Sequence, residues 1–431
     1  MFRRMREGVR LVKFYLLHKR SLQTIEKWQS ARLHTLVRHA AEYVPAYRDL
    51  FAASGVSPET IRRISDLPRL PITDKGFFLG RETEEYIDHG RRTHTVWKKT
   101  SGTTGKPFTL LVSNALLHPH YADFVCYRFL LGFNVFPGAF DTARIAHINV
   151  RAPRRANQLF ITISDFLSDP EVVIRKIADY RPDVVASYTS ILFELAKKVS
   201  ENPTLLPEKP RFAASFGEML TPHMRRFIED ALGCEVYDRY GGGEIGAVAL
   251  ECGRHDGMHV NSESAIVEIV DDKSDALPPG QYGRVIVTDL LNYNMPFIRY
   301  DIGDRGMLTR DRCACGLETP RLWLEGRYSA FLIFGGRKIH HLEFDGALDG
   351  FMHIILQYQI VKLAEDEMAV RVVPGPLFDS SSAQVIEAKM RKIVGPDIRV
   401  SIEKVASISR TLRGKSHIVL DESMSVARSK S

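Results

Sequence analysis

The sequence predicts an α/β protein: a large N-terminal domain of layered sheets and helices, followed by a small C-terminal α+β domain. Three observations carry that expectation. The chain has 431 residues at 44% hydrophobic composition, enough to bury a large core and to divide into roughly two or three domains. Between about residues 95 and 325, short β-like runs alternate with helical or loop segments, the mixture expected of packed α/β layers. After "GRYSAFLIFGGRKI" the pattern changes to about 100 residues with the spacing of a compact α+β unit.

In chain order, residues 1–30 read as a basic helical extension. "MFRRMREGVRLVKFYLLHKR" sets Arg3, Arg4, Arg6, Arg10, Lys13, Lys19 and Arg20 around apolar residues at roughly helical spacing. Two readings stay open: a surface helix docked on the body, or a helix lying on an anionic membrane as a peripheral contact. Residues 22 to 50 predict one helix from apolar positions at i, i+3 and i+4, ended by the proline and aromatics of "EYVPAYRDLF". "LPRLPITDK" leads into the main body, which is expected to span 31–328. Strands are expected there at "TVWKK", "FTLLVS", "VVASY", "RFAASF", "EVYDRY", "AIVEIV" and "RVIVTDL", with antiparallel pairing where runs follow "LPPGQYG". In the small domain, 329–431, the pattern predicts helices near 341–350 and 381–394 and strands near 354–362, 367–373 and 397–403, with a hinge at 328 to 331.

The formal charge is +7, from 59 Lys+Arg against 52 Asp+Glu. Such an excess is modest for this length and implies no nucleic-acid partner; anionic small molecules suit it equally well. No apolar run approaches the ~20 residues of a membrane span, and "YLLH" is too short for the core of a signal peptide, so a cytoplasmic protein is expected. Five cysteines in this length are no disulfide framework. Cys126 and Cys234, in apolar surroundings, read as core residues.

"KKTSGTTGKP", Lys98 to Pro107, sets hydroxyl and glycine residues among lysines between two β-like runs. Backbone N–H groups can approach phosphate oxygens in such a loop, while Ser and Thr hydroxyls add donors and lysine adds charge. It is not a Walker A loop: that motif needs GxxxxGK[ST], and here Thr100 and Pro107 occupy the first and last positions. A plain Gly/Thr hairpin turn is the alternative. Five further stretches follow in order: "SFGEML" (215–220), "YDRYGGGEIG" (237–246), "PFIRYDIGD" (296–304), "EGR" (325–327) and "SRTLRGKSHIV" (409–419). Together with "TSGTTGKP" they resemble the adenylate-forming superfamily, specifically its phenylacetate–CoA ligase branch with the related CapK and coenzyme F390 synthetase-like proteins. The resemblance runs from about residue 30 to 420.

The resemblance implies a large adenylate-forming domain, a mobile C-terminal domain and a role for each matched residue. Thr100, Ser101, Gly102, Thr103, Thr104, Gly105 and Lys106 would bind the ATP phosphates. Gly217 and Glu218 would line the adenine, with Tyr240 as an aromatic beside the nucleotide. Glu244 would coordinate Mg2+, Asp304 would accept the ribose hydroxyls, and Arg327 would reach the ribose or α-phosphate. Lys415 would neutralise charge as a carboxylate attacks the α-phosphorus. The implied reaction forms an acyl-adenylate and pyrophosphate, after which coenzyme A displaces AMP. Two stretches depart from the pattern. Tyr328, Ser329 and Ala330 follow the "GR" pair where the family has one or two aspartates, and "GGRKIHHLEF" stands in place of an "RGVN-FP" pattern. Amide- or ester-forming ligases with an amine or other acceptor, and a retired nucleotide-binding homologue, therefore stay open as alternatives.

"ECGRHDGMH" supplies Cys252 and His259, and "RCACG" supplies Cys313 and Cys315. Three thiolates and an imidazole suffice for a tetrahedral structural Zn2+ site, with His255 as a competing ligand and four unrelated residues as the bland alternative. Related CapK-like proteins carry cysteines and histidine in these two places. For the acid, Tyr121, Phe124, Tyr188, Ser215 and Phe216 are candidate pocket residues, whose aromatic character suits an aryl or arylalkyl carboxylic acid. A homodimer is expected by analogy alone.

Overall fold

A computed structural model of the chain describes residues 13–14, 16–90, 95–99, 109–113, 144–149, 158–327, 331–351, 354–408 and 419–423. Phe14 is buried edge-on to Trp28, and His18 is buried against Glu263, so this part of the basic extension is docked on the body. Residues 1–12 lie outside the described residues. Helix α1 (Leu22–Tyr43) is capped by the Ser21 side chain, and α2 (Pro45–Ala53) follows after an extended Val44. The single helix expected over 22–50 is thus broken in two. Pro45 has no N–H to continue the ladder and forces the preceding residue out of the helical region, which makes it a good first residue of the next helix. Leu33, Leu36, Val37, Tyr47 and Phe51 pack these helices against Ile266, Leu290 and Ile298 of the body.

Strands β1 (Thr95–Lys99) and β2 (Thr109–Ser113) form an antiparallel pair in which Lys99 faces Thr109, so the glycine and threonine-rich stretch 100–108 connects them. The main sheet has eleven strands among the described residues: β3 (Ile145–Asn149), β4 (Gln158–Thr162), β5 (Val184–Tyr188), β6 (Phe212–Phe216), β7 (Glu235–Gly242), β8 (Gly246–Glu251), β9 (Met258–Val260), β10 (Ala265–Val270), β11 (Tyr282–Asp289), β12 (Tyr300–Thr309) and β13 (Arg321–Arg327). Their order is β10-β11-β12-β13-β9-β8-β7-β6-β5-β3-β4. From β7 to β4 the neighbours are parallel, and from β7 to β10 they are antiparallel. The parallel half carries nearly continuous apolar runs because both of its faces are covered. On one face lie helices α3 (Pro170–Tyr180), α4 (Thr189–Glu201) and α5 (Pro222–Leu232), which bury Ile174, Ile177, Leu192, Phe193, Leu195 and Ile228 against Ala146, Ile148, Val185, Ala213 and Val236.

The C-terminal domain opens with a hairpin, β14 (Phe331–Phe334) and β15 (Arg337–His340), followed by α6 (His341–Leu348), β16 (Ile355–Ala364), β17 (Glu367–Pro374), α7 (Ser380–Val394), β18 (Arg399–Lys404) and β19 (Val419–Asp421). Its four-stranded sheet runs β18-β17-β16-β19 around a core that includes Phe344, Ile360, Val370, Ile386 and Met390. The expected helices and strands are present here within a few residues. The β14–β15 hairpin adds to the expected elements: Gly335 and Gly336 at positive φ make the tight turn between "FLIF" and "RKIH". None of the described helices is long and apolar enough to cross a membrane.

Candidate active site

In open α/β sheets, ligands bind outside the carboxyl ends of the parallel strands. Here those ends hold two aligned rows. Ser187, Ser215 and Asp238 are register partners across β5, β6 and β7, and Tyr188, Phe216 and Arg239 are partners one position on. Successive residues of a strand point to opposite faces, so the two rows separate. Tyr188 meets Phe216 edge-to-face at 5.2 Å, and the Arg239 guanidinium lies 4.4 Å from the centre of the Phe216 ring. Ser215 belongs to the other face, where its hydroxyl donates to Asp238 Oδ1 at 2.5 Å. Of the five candidate pocket residues, then, Tyr188 and Phe216 come together, Ser215 turns towards the helix layer, and Tyr121 and Phe124 lie outside the described residues.

Beyond Phe216 the chain turns at Gly217, whose φ of +75° favours glycine. Glu218 then closes the start of α4: its carboxylate accepts from Ser190 N–H at 2.7 Å and its carbonyl from the Thr189 hydroxyl at 3.3 Å. A carboxylate there satisfies an unpaired helix donor and faces the positive end of the helix dipole. The Glu218 side chain is thereby committed to holding the turn, which leaves the backbone of the turn to meet a ligand.

Tyr240, near the end of β7, donates its hydroxyl to Asp304 Oδ2 at 2.7 Å, joining the "YDRYGGGEIG" and "PFIRYDIGD" stretches across the sheet. Asp304 is buried and stands opposite Arg327 in the β12–β13 ladder. The Arg327 side chain is outside what the structure describes. Gly241 has the Gly246 carbonyl 2.0 Å from where a Cβ would sit, so only glycine fits this β-bulge. The tight turn that results carries Glu244 partly exposed on the hairpin, with an oxygen 3.2 Å from the Cβ position of Gly242.

Behind the site runs a polar network that the sequence did not single out. Arg225 Nη2 of α5 donates to both carboxylate oxygens of Glu251, at 2.7 and 2.9 Å, Glu251 accepts from Asp238 N–H at 2.8 Å, and His255 Nδ1 lies 3.1 Å from Glu251 Oε2. Burial alone would raise Glu251, but His255, Arg225 and the Asp238 N–H hold it below its ordinary value. Asp238 moves the other way. Enclosure and the neighbouring Glu251 charge push it up to about 6. Asp238 and Arg239 sit inside the quoted "YDRYGGGEIG", so the stretch was legible while their partners, from α5 and β8, were not.

Cys252, His259, Cys313 and Cys315 converge, their ligand atoms all within 4.8 Å of one another. Cys252 Sγ and Cys313 Sγ are 3.8 Å apart, and Cys315 Sγ is 3.3 Å from His259 Nε2. Two thiolates on one tetrahedral zinc at about 2.3 Å would stand ~3.8 Å apart, so the donor set fits the ion. Thr319 Oγ1 lies 2.8 Å from His259 Nδ1, which leaves Nε2 facing the sulfurs, the orientation that a metal-binding histidine requires. Burial pushes the Cys252 thiol up to about 12, so a thiolate at this position calls for a cation. His255, engaged with Glu251, is not part of the cluster. Cys234, as expected of a core residue, is partly buried against the helix layer, whereas Cys126 lies outside the described residues. So do Thr100, Ser101, Gly102, Thr103, Thr104, Gly105, Lys106, residues 328–330 and Lys415.

Residues 99–290 match the family model described as "AMP-binding enzyme". The chain carries an AMP-binding enzyme domain and resembles the adenylate-forming superfamily. Within it, the relatives are those of the phenylacetate–CoA ligase and CapK branch. A phenylacetate-coenzyme A ligase of Thermus thermophilus is 28% identical over 91% of this chain and 95% of its own length. Protein CapK of Staphylococcus aureus is 28% identical over 34% of this chain and 32% of its own length. Among solved structures, 2-hydroxyisobutyryl-CoA ligase shares the fold at 20% identity. In its postadenylation state, in complex with R3-HIB-AMP, it gives a TM-score of 0.77 over 96% of this chain and 93% of its own. In its thioesterification state, with 2-HIB-AMP and CoA, it gives 0.63 over the same shares.

Proposed function

We propose that this enzyme is an ATP-dependent carboxylate ligase that makes an acyl-adenylate and passes the acyl group to coenzyme A, with an aromatic acid as substrate. Two observations carry the reading: the Tyr240–Asp304 pair near the end of β7, and the Tyr188, Phe216 and Arg239 row at the carboxyl ends of β5 to β7. Asp304 has one oxygen held by Tyr240 and is suited to accept from ribose hydroxyls, while the aromatic row gives an aryl acid an apolar wall. A carboxylate oxygen attacks the α-phosphorus and pyrophosphate leaves with the bonding pair; the CoA sulfur then attacks the acyl carbon and AMP leaves. Thr100 to Lys106 are assigned to the phosphates, Gly217, Glu218 and Arg327 to the nucleoside side, and Lys415 to the developing charge. When bound through Glu244, Mg2+ would draw off negative charge from the phosphates. We assign Cys252, His259, Cys313 and Cys315 to a structural zinc, residues 31–328 and 329–431 to the two domains, and the protein to the cytoplasm.

A second reading keeps the adenylate and changes the acceptor. Tyr328, Ser329 and Ala330, in place of hinge aspartates, favour an amine or hydroxyl as the nucleophile. Pyrophosphate release measured across aryl, arylalkyl and fatty acids with ATP and Mg2+, with and without CoA, separates the two. Acid-dependent release that CoA accelerates supports the CoA ligase. Release indifferent to CoA supports the other acceptor, and no release with any acid contradicts both.

A further inference from the structure

Among the described residues, two consecutive residues of β16 in the small domain meet the helix layer of the large domain. The β16–β17 ladder slips between Ile355 and Gln357, leaving Leu356 as an extra residue without a partner. A β-bulge of this kind re-aims side chains away from the regular alternation. Leu356 accordingly packs not into its own domain's core but against the cluster to which α4 contributes Ile191, Leu192, Phe193, Leu195 and Ala196. Beside it, Gln357 Nε2 donates to Glu194 Oε1 of α4 at 3.0 Å. The same helix holds Glu218 at its first turn, so one rigid element connects this contact to the nucleotide side of the site.

The comparison with 2-hydroxyisobutyryl-CoA ligase gives this contact a meaning. One protein that scores 0.77 in its postadenylation state and 0.63 in its thioesterification state differs from this chain, in the second case, by arrangement and not by fold. We propose that Leu356 and Gln357 are positioning residues that latch the small domain onto α4 in the orientation that makes the adenylate. Release of that latch lets the domain leave for the second half-reaction. The inference rests on the ligase reading above. An apolar side chain with one hydrogen bond suits a latch that must open once per turnover.

The test uses the full-length chain and its Leu356→Ala/Gln357→Ala variant with phenylacetate as the acid. Acid-dependent exchange of pyrophosphate into ATP is expected to fall about tenfold, because the adenylating arrangement is depopulated. Thioester formation from supplied phenylacetyl-adenylate and CoA is expected to stay within about twofold, a split that a merely structural lesion would not produce. Glu194→Lys should reproduce the loss and adding Gln357→Glu to it should restore exchange, while Glu194→Gln, which keeps an acceptor, should be mild. Fluorophores on noncanonical residues at the exposed positions 172 and 385 should show a wider distance distribution in the double variant, with or without activity. Equal loss in both half-reactions, or an unchanged distance distribution, overturns the latch. Absence of exchange in the unmodified chain with every acid tried overturns the ligase reading, and the distance measurement then still decides the latch.

Discussion

Asp304 is a buried carboxylate that accepts from the Tyr240 hydroxyl, and hydrogen bonds to a charged group contribute about 1.5–3 kcal/mol each. Asp304→Ala should therefore raise the KM for ATP by roughly ten- to hundredfold while leaving far-ultraviolet circular dichroism unchanged, and Tyr240→Phe should do so more mildly. An unaltered KM in Asp304→Ala would remove its nucleotide role. Asp238 makes a prediction about pH. Its folded value of about 6 lies above the ordinary 3.8, so the folded state holds the proton more tightly. The stability it contributes is fully present below about pH 4 and is lost as the pH rises through about 6, an effect of up to about 3 kcal/mol. The surrounding charged and polar groups are Glu251, Arg225, His255 beyond Glu251, and the Ser215 hydroxyl. Asp238→Asn keeps the acceptor for Ser215 and should flatten the dependence of the urea midpoint on pH between 4.5 and 7. A midpoint that falls with pH as steeply as in the unmodified chain would show that another group titrates.

At the scale of elements, the Cys/His cluster sits where the main sheet is most weakly joined. Strand β9 has three residues, and its pairing to β13 covers only Arg321 with His259 and Leu322 with Met258. Cys252 and His259 flank the β8–β9 turn and Cys313 and Cys315 lie between β12 and β13, so a metal there would staple both hairpins across that seam. Protein purified without chelators should contain about one zinc per chain, and Cys252→Ser or Cys313→Ser should lose it with a fall in Tm of about 5 °C or more. Metal-free, fully stable protein would sink the assignment. The strands were legible as runs such as "VVASY" and "RFAASF" because both faces of the parallel half are covered and the apolar signal is continuous. The Arg225, Asp238 and Glu251 network was not, since it exists only once α5, β7 and β8 are brought side by side, and no local spacing announces such a lateral meeting.

For the whole molecule, the contiguous motifs identified the chemistry, and the register of the sheet shows why they can act together: "YDRYGGGEIG" and "PFIRYDIGD" are 59 positions apart from first residue to first residue, yet Tyr240 reaches Asp304. The contact between the domains was illegible, because Leu356 reads as an ordinary core position until the bulge in β16 turns it outward. The central claim is that a carboxylate oxygen attacks the α-phosphorus of ATP and departs with AMP. Turnover of an acid labelled with oxygen-18 in both carboxylate positions, with ATP, Mg2+ and CoA, followed by mass spectrometry of the nucleotide product, tests it most directly. The account predicts AMP carrying one labelled oxygen; unlabelled AMP, or ADP with labelled inorganic phosphate, would contradict it.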